Sequence, residues 1–353
     1  MPVGALAAIV RRMSQMKWAL IILAAVAVVG CTKKEDPAPA AEAAEAVQKQ
    51  EPAVVAVEPI QPLPSSVDVD MDKVLLGRSL YHDTILSGDG TVACVTCHSL
   101  DHGGAEPRKT STGIGGQIGP INSPTVLNSG YNFVQFWDGR AKDLQEQAAG
   151  PVANPAEMGA NWDEVVERLK KNEKYATAFA KLYPDGVTQI NTTDAIAEYE
   201  KSLITPSRFD KFLLGDENAI TNAEKQGYAT FKEVGCTACH TGINVGGTMF
   251  QKMGLVKDYF AARGTPLTDA DMGRFNVSKN PAEKHFFKVP SLRNIELTPP
   301  YLHDGSQSTL EGTVKLMGTY QLGRDLTDAQ VNSIVTFLKS LTGELPAHAK
   351  PGS

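Results

Sequence analysis

Cys94-Val95-Thr96-Cys97-His98 decides how this chain is read, because the same arrangement returns as Cys236-Thr237-Ala238-Cys239-His240. Two thiols separated by two residues can each add to a vinyl group of one haem, and the next histidine is then held beneath the iron as an axial ligand. Zinc is the competing reading of C-x-x-C, but it needs four ligands from a compact cluster. Each unit here supplies two thiols and one histidine with no second C-x-x-C nearby. Two complete copies therefore point to two covalently attached c-type haems, one on Cys94, Cys97 and His98 and one on Cys236, Cys239 and His240.

The flanks of the two motifs also repeat. Val74, Leu75, Leu80 and Tyr81 have helical spacing behind Asp70, a suitable N-cap, and run to the turn Ser87-Gly88-Asp89-Gly90 before the first motif. Thr221 and Glu224 form a capping box ahead of Gly227, Tyr228 and Phe231, which lead to the second motif. Downstream, Pro124-Thr125-Val126-Leu127-Asn128 matches Pro290-Ser291-Leu292-Arg293-Asn294, and Trp137-Asp138-Gly139 matches His303-Asp304-Gly305. Both pairs lie 166 positions apart, as do Leu144 and Leu310, whereas the haem motifs are 142 apart. The second copy thus carries about 24 extra residues after its motif. Each copy closes with a helix: Thr193 and Asp194 introduce Ile196, Tyr199 and Leu203, and a Thr327/Gln330 box introduces Val331 to Leu341, ending at Gly343. One further amphipathic helix is expected through Val165, Leu169, Tyr175 and Phe179. The fold class is mainly α, two cytochrome c-like haem domains related by internal duplication.

Arg11, Arg12 and Lys17 precede an apolar run from Trp18 to Gly30, too short to be trusted as a permanent membrane span. Val28-Val29-Gly30-Cys31 resembles a lipoprotein cleavage box, which assigns Cys31, the fifth cysteine, to lipidation; an uncleaved anchor is the alternative. Either reading places the chain outside the cytoplasm, and Thr32 suits the outer membrane of the periplasm. Residues 31–66, rich in Ala, Glu and Pro, are expected to form a disordered tether. The organisation is then 1–30 signal peptide, 31–66 tether, 67–206 first haem domain, 207–345 second haem domain and 346–353 tail. The net charge of −6 becomes −9 once the three cations of residues 1–30 are removed. That balance argues against nucleic acid and suits a neutral or basic electron-donor protein.

An electron-transfer haem keeps two protein ligands, while one that does chemistry on a small molecule needs a vacant face. Met317, on a segment of helical character after His303, is placed to complete a His/Met iron; an ordinary core methionine is the alternative. Subtracting 166 gives Pro151, which cannot ligate iron. One haem for storage and one for reaction is the implication.

Gly119 to Asn128, Gln135 to Arg140, Gln147 to Met158 and Val289 to Gly305 carry a resemblance to the bacterial dihaem cytochrome c peroxidases, extending from about Met71 to Gly343. The resemblance implies reduction of hydrogen peroxide to water at the N-terminal haem, with electrons passed through the His/Met haem from a small soluble cytochrome c or cupredoxin. It implies that Trp137 lies between the haems and that Gln147 and Glu157 form the distal pair, the carboxylate moving a proton between the peroxide oxygens. It further implies calcium at Asn122, Thr298 and Pro300, the latter two through backbone carbonyls, and a homodimer. Many members carry a glycine-flanked histidine that caps the peroxidatic iron before reduction; Gly113-Ile114-Gly115 stands there instead. The first haem is therefore expected to be open without prior reduction, with His82, His102 and His285 the remaining candidates for a cap. The competing functions are a plain dihaem electron carrier, disfavoured by Pro151 and Ile114, and the related enzyme that matures a tryptophan-derived cofactor on a partner, which has a tyrosine in place of Met317. A haem-based gas sensor is a further alternative, with no signalling domain to accompany it.

Overall fold

Asp70 begins the first helix by accepting the backbone N–H groups of Asp72 and Lys73 at 3.0 and 3.2 Å, two of the donors that a helix start leaves unpaired. Helix α1 (Met71–Tyr81) leads through a 3-10 turn to α2 (Cys94–Cys97), a single turn that presents the first two thiols. The computed structural model describes residues 58–350. The expected signal peptide, Cys31 and most of the expected tether lie outside the described residues.

Helices α3 (Leu144–Ala153), α4 (Trp162–Lys171), α5 (Glu173–Leu182) and α6 (Gln189–Ser202) complete the first unit. The expected single helix through Val165 and Phe179 is two helices. Asn172 closes α4 through its N–H to the carbonyls of Arg168 and Leu169, while its side chain accepts from Lys174 N and starts α5. Helix α6 begins a turn earlier than Thr193, because Thr188 caps it; the Thr193 hydroxyl is spent on the Ile190 carbonyl and Asp194 on Lys73 and Tyr183.

The second unit opens with α7 (Arg208–Leu213) and α8 (Asn222–Val234), the latter started by the Thr221/Glu224 box. Its longer middle segment carries α9 (Tyr259–Arg263), α10 (Phe275–Ser278) and an antiparallel pair of short strands, β1 (Phe250–Lys252) and β2 (Phe286–Lys288). Helices α11 (Leu310–Gln321) and α12 (Asp328–Lys339) close it, α12 behind the Thr327/Gln330 box.

Duplication is visible in the backbone. Asn128 and Asn294 have φ of 59° and 58°, and Phe136 and Leu302 have 66° and 73°, left-handed conformations that are costly for residues with a Cβ. The bridges Gln135 to Ala141 and Tyr301 to Gln307 recur at the same spacing. In each unit the opening helix crosses the closing one at a glycine. A Cβ on Gly77 would lie 1.9 Å from the Ala195 carbonyl oxygen in α6, and one on Gly227 would lie 2.2 Å from that of Ser333 in α12. Val74, Tyr81, Tyr199 and Leu203 pack around the first crossing, and Tyr228, Phe231, Phe337 and Leu338 around the second.

Both chain ends depart from the compositional reading. Residues 58–66 are not tether but a strap on the second unit, with Ile60 and Leu63 only 1% and 2% exposed. The Pro59 carbonyl accepts from Gly242 N at 2.8 Å, and Leu63 N donates to Asp210 at 2.7 Å. Asp210 is in turn held by both terminal nitrogens of buried Arg293 at 2.9 Å. Two apolar side chains suffice to order so short a segment when the surface they meet is already formed. The expected tail is likewise docked as far as residue 350: Ala349 is buried in the first unit's core, and His348 Nε2 lies 2.8 Å from Ser202 Oγ.

Gly77→Ala and Gly227→Ala test the crossings with opposed effects. Helix propensity favours alanine by about 1 kcal/mol, but the enforced overlap with backbone is expected to cost about 1–3 kcal/mol net. The thermal midpoint of the holoprotein should fall in both variants; a raised midpoint would show that the helices do not meet there.

Candidate functional site

The two motif histidines are fixed from behind. His98 Nδ1 donates to the Pro124 carbonyl at 3.0 Å and His240 Nδ1 to the Val245 carbonyl at 3.2 Å, which leaves each Nε2 free to bind. Burial lowers the pKa of His98 and takes that of His240 to about 4, so both rings are neutral and ligand-competent. The Tyr81 hydroxyl donates to the His98 carbonyl at 2.5 Å, tying α1 to the first motif. Burial also pushes the thiols of Cys94 and Cys236 up to about 12 and Cys97 to about 11. A redox dithiol needs a lowered pKa, which these thiols do not have.

Cys236, Cys239 and His240 line one predominantly apolar cavity together with Met317 of α11, Trp137 and Phe287. Two thiols, an imidazole and a thioether around an apolar space fit a c-type haem with His/Met ligation. Pro151 lies inside α3, and α3 and α11 begin at the repeat-equivalent residues Leu144 and Leu310. The structure thus places Pro151 and Met317 on corresponding helices, as the repeat arithmetic requires.

Glu157 follows α3 and is partly buried. Its Oε1 accepts from Asn154 Nδ2 at 2.7 Å. Burial raises its pKa above the ordinary 4.5, opposed by the Arg140 charge and the Asn154 bond. Its charge is felt at the Cys97 thiol, which puts it on the first motif's side. Ile114 N donates to the Glu157 carbonyl at 2.9 Å, and the Ile114 side chain lies against Gly159, so the glycine-flanked loop abuts the backbone at Glu157. Gln147 stands one turn before Pro151 on α3, on the same helix face.

Trp137 is anchored at the junction of the units. Its indole N–H donates to the Asn122 carbonyl at 3.0 Å, and its own carbonyl accepts from Lys288 N at 2.8 Å. Asn122 N donates in turn to the His303 carbonyl at 2.8 Å. Trp137 and His303 are repeat equivalents, and so are Asn122 and Lys288; the two backbone bonds are therefore one interaction made twice. The Trp137 and His303 rings meet edge to face at 6.4 Å. Asn122, Thr298 and Pro300 line the same cavity, and Asn122 Nδ2 is occupied by the carbonyls of Arg108 and Lys109 at 3.1 and 3.3 Å.

One cluster was not singled out in the sequence. His303 Nε2 lies 2.8 Å from Asp271 Oδ1, and Arg263 grips both Asp271 oxygens at 2.8 Å and reaches Asp304 at 3.2 Å. Burial works against ionisation of Asp271, but the Arg263 guanidinium and the Thr268 and His303 bonds hold it well below the usual carboxylate range. The cation already present makes this an ion-pair network rather than a metal site. The signal available was the pairing of His303 with Trp137; Asp271 and Arg263 lie in the unduplicated segment.

Residues 71–218 match the family model described as di-haem cytochrome c peroxidase. The chain is 47% identical over 301 residues to the cytochrome c551 peroxidase of Nitrosomonas europaea, covering 84% of this chain and 88% of that protein. The chain belongs to the di-haem cytochrome c peroxidase family. It is also 52% identical over 288 residues to the cytochrome c peroxidase Ccp of Escherichia coli (strain K12), covering 81% of this chain but only 61% of that longer protein. A crystal structure of a MauG-like protein associated with microbial copper homeostasis superposes with a TM-score of 0.71 at 27% identity, over 86% of this chain and 97% of that one. Membership makes the protein an enzyme, and one of two haems.

Within this peroxidase fold His285, one of the histidines considered as caps, is committed elsewhere. His285 Nδ1 donates to the Asp271 carbonyl at 2.7 Å and its ring stacks on Phe260 at 4.2 Å, both in the second unit. His82 packs edge-on against Tyr81 at 5.3 Å, and His102 is exposed. Met317→Ala is expected to lower the potential of the second haem, because a thioether axial ligand raises it, and to abolish that haem's sulfur-to-iron charge-transfer band. Spectroelectrochemistry checks this; a band and potential unchanged from wild type would remove Met317 from the iron.

Proposed function

We propose that this chain reduces hydrogen peroxide to two waters at the first haem site, consuming two protons and two electrons that arrive through the second. The asymmetry of α3 and α11 carries the reading: where α11 offers Met317 to the cavity of His240, α3 offers Pro151, which has no donor. When bound, the haems supply and store the electrons. His98 and His240 would hold them through neutral imidazoles, and Met317 would supply a further ligand to the second. Glu157 as carboxylate would take a proton from one peroxide oxygen and return it to the other, so that the departing oxygen leaves as water. Gln147, in the adjoining turn of α3, orients the peroxide, and Ile114 keeps the approach to Glu157 apolar. Trp137 spans the junction between the two sites.

The negative charge of the chain suits a neutral or basic donor, a small cytochrome c or cupredoxin. Calcium would take the Asn122 side-chain oxygen with the carbonyls of Thr298 and Pro300, an oxygen-only set that fits this hard cation. The leader and Cys31 support a periplasmic, lipid-anchored location, and no helix among the described residues is long and apolar enough to cross a membrane.

Because Ile114 cannot cap iron, turnover by the enzyme as isolated should equal turnover after pre-reduction, and low-temperature spectra should show a high-spin first haem. A low-spin first haem that is inert until reduced would overturn the open-site reading. Glu157→Gln should lower kcat/KM about 10²–10⁴-fold with both haem spectra retained. The carboxylate is lost as pH falls through its raised pKa, so wild-type activity should show an acid limb above pH 4.5 that the variant lacks. An unchanged profile would take Glu157 out of the proton transfer.

A further inference from the structure

Lys288 ends β2 with its side chain 6% exposed, on the wall of the cavity shared by His240 and Met317. Among the described residues its ammonium has neither a hydrogen-bond acceptor nor a carboxylate partner. Buried charges are retained where something pairs them. Arg293 and Arg263, the other well-buried cations of this unit, each grip a carboxylate. Burial alone pulls the Lys288 pKa down to about 8, since nothing in the chain compensates it.

A c-type haem brings two propionate carboxylates into its cavity, and they are the missing partner in kind. We propose that Lys288 pairs with a propionate of the second haem and that this cation, which the first unit lacks, raises the second haem's reduction potential relative to the first. The inference rests on the reading that this cavity holds a haem. Ferric haem carries one more positive charge than ferrous, so a nearby ammonium favours reduction, and cancelling a propionate charge acts in the same direction.

The duplication supplies an internal control. The first unit's equivalent of Lys288 is Asn122, a neutral amide already engaged by the Arg108 and Lys109 carbonyls. At the same register, one unit therefore offers a side-chain ammonium on the cavity wall and the other a neutral amide. Lys288 also donates its backbone N–H to the Trp137 carbonyl, so a single residue fixes the tryptophan at the junction and, through its side chain, one edge of the second haem. It is a positioning residue with an electrostatic effect, not a catalytic one.

Potentiometric titration of each haem in wild-type, Lys288→Met and Lys288→Arg holoprotein tests the proposal. In the methionine variant the second haem's reduction equilibrium should fall about tenfold, ~59 mV for one electron, while the first haem's potential and the Met317 charge-transfer band stay as in wild type. The arginine variant should restore the wild-type potential. If Lys288→Met loses the second haem, Lys288→Gln is measured by the same criterion. An unshifted second haem in a neutral variant, or equal shifts in both haems, would overturn the role given to Lys288 while leaving two haems in place. Wild-type protein with one haem by haem-to-protein ratio would instead sink the two-haem reading and this inference with it.

Discussion

Two backbone hydrogen bonds, Lys288 N to Trp137 O and Asn122 N to His303 O, hold the duplicated halves of this protein together around a shared centre. Each joins a residue just before the Pro124 or Pro290 segment to the aromatic residue of the other half. Because the same Pro124 carbonyl also orients His98, the junction and the first iron ligand are set by neighbouring residues of one loop. A shift of that loop would move Trp137, His98 and the wall of the second cavity at once.

Around this centre the two halves share a backbone pattern and differ at repeat-equivalent side chains. Their backbones agree even in left-handed residues such as Phe136 and Leu302, where a Cβ makes the conformation costly. Pro151 against Met317, Asn122 against Lys288 and Trp137 against His303 are the differences that matter, and each alters ligation, charge or packing beside a haem site. In the function proposed above, one scaffold thereby serves storage of an electron in one half and reaction with a small oxidant in the other.

Burial is the common electrostatic cause. It keeps the motif histidines neutral and the thiols protonated, raises Glu157 toward a range useful for proton transfer, and leaves Lys288 without a partner from the chain. Where the second unit buries charge for structure, as in Arg293 with Asp210 or Arg263 with Asp271, it supplies the counter-charge at 2.8–2.9 Å.

The haem motifs, the duplication, the helix starts at Asp70, Thr221 and Thr327, and the contrast of Met317 with Pro151 were all determined by sequence, because each depends on residues adjacent in the chain or related by a constant offset. Helix breaks and strap segments were not. Asn172 divides a continuous apolar period because one residue caps in both directions, its backbone N–H closing α4 and its side chain starting α5, and residues 58–66 order because they meet a surface that includes Asp210, 147 positions after Leu63. Only tertiary structure could bring Asp271 and Arg263 to His303, set Glu157 beside the Ile114 loop, or leave Lys288 buried and unpaired. Those relations are distances through space between segments whose separation along the chain carries no period.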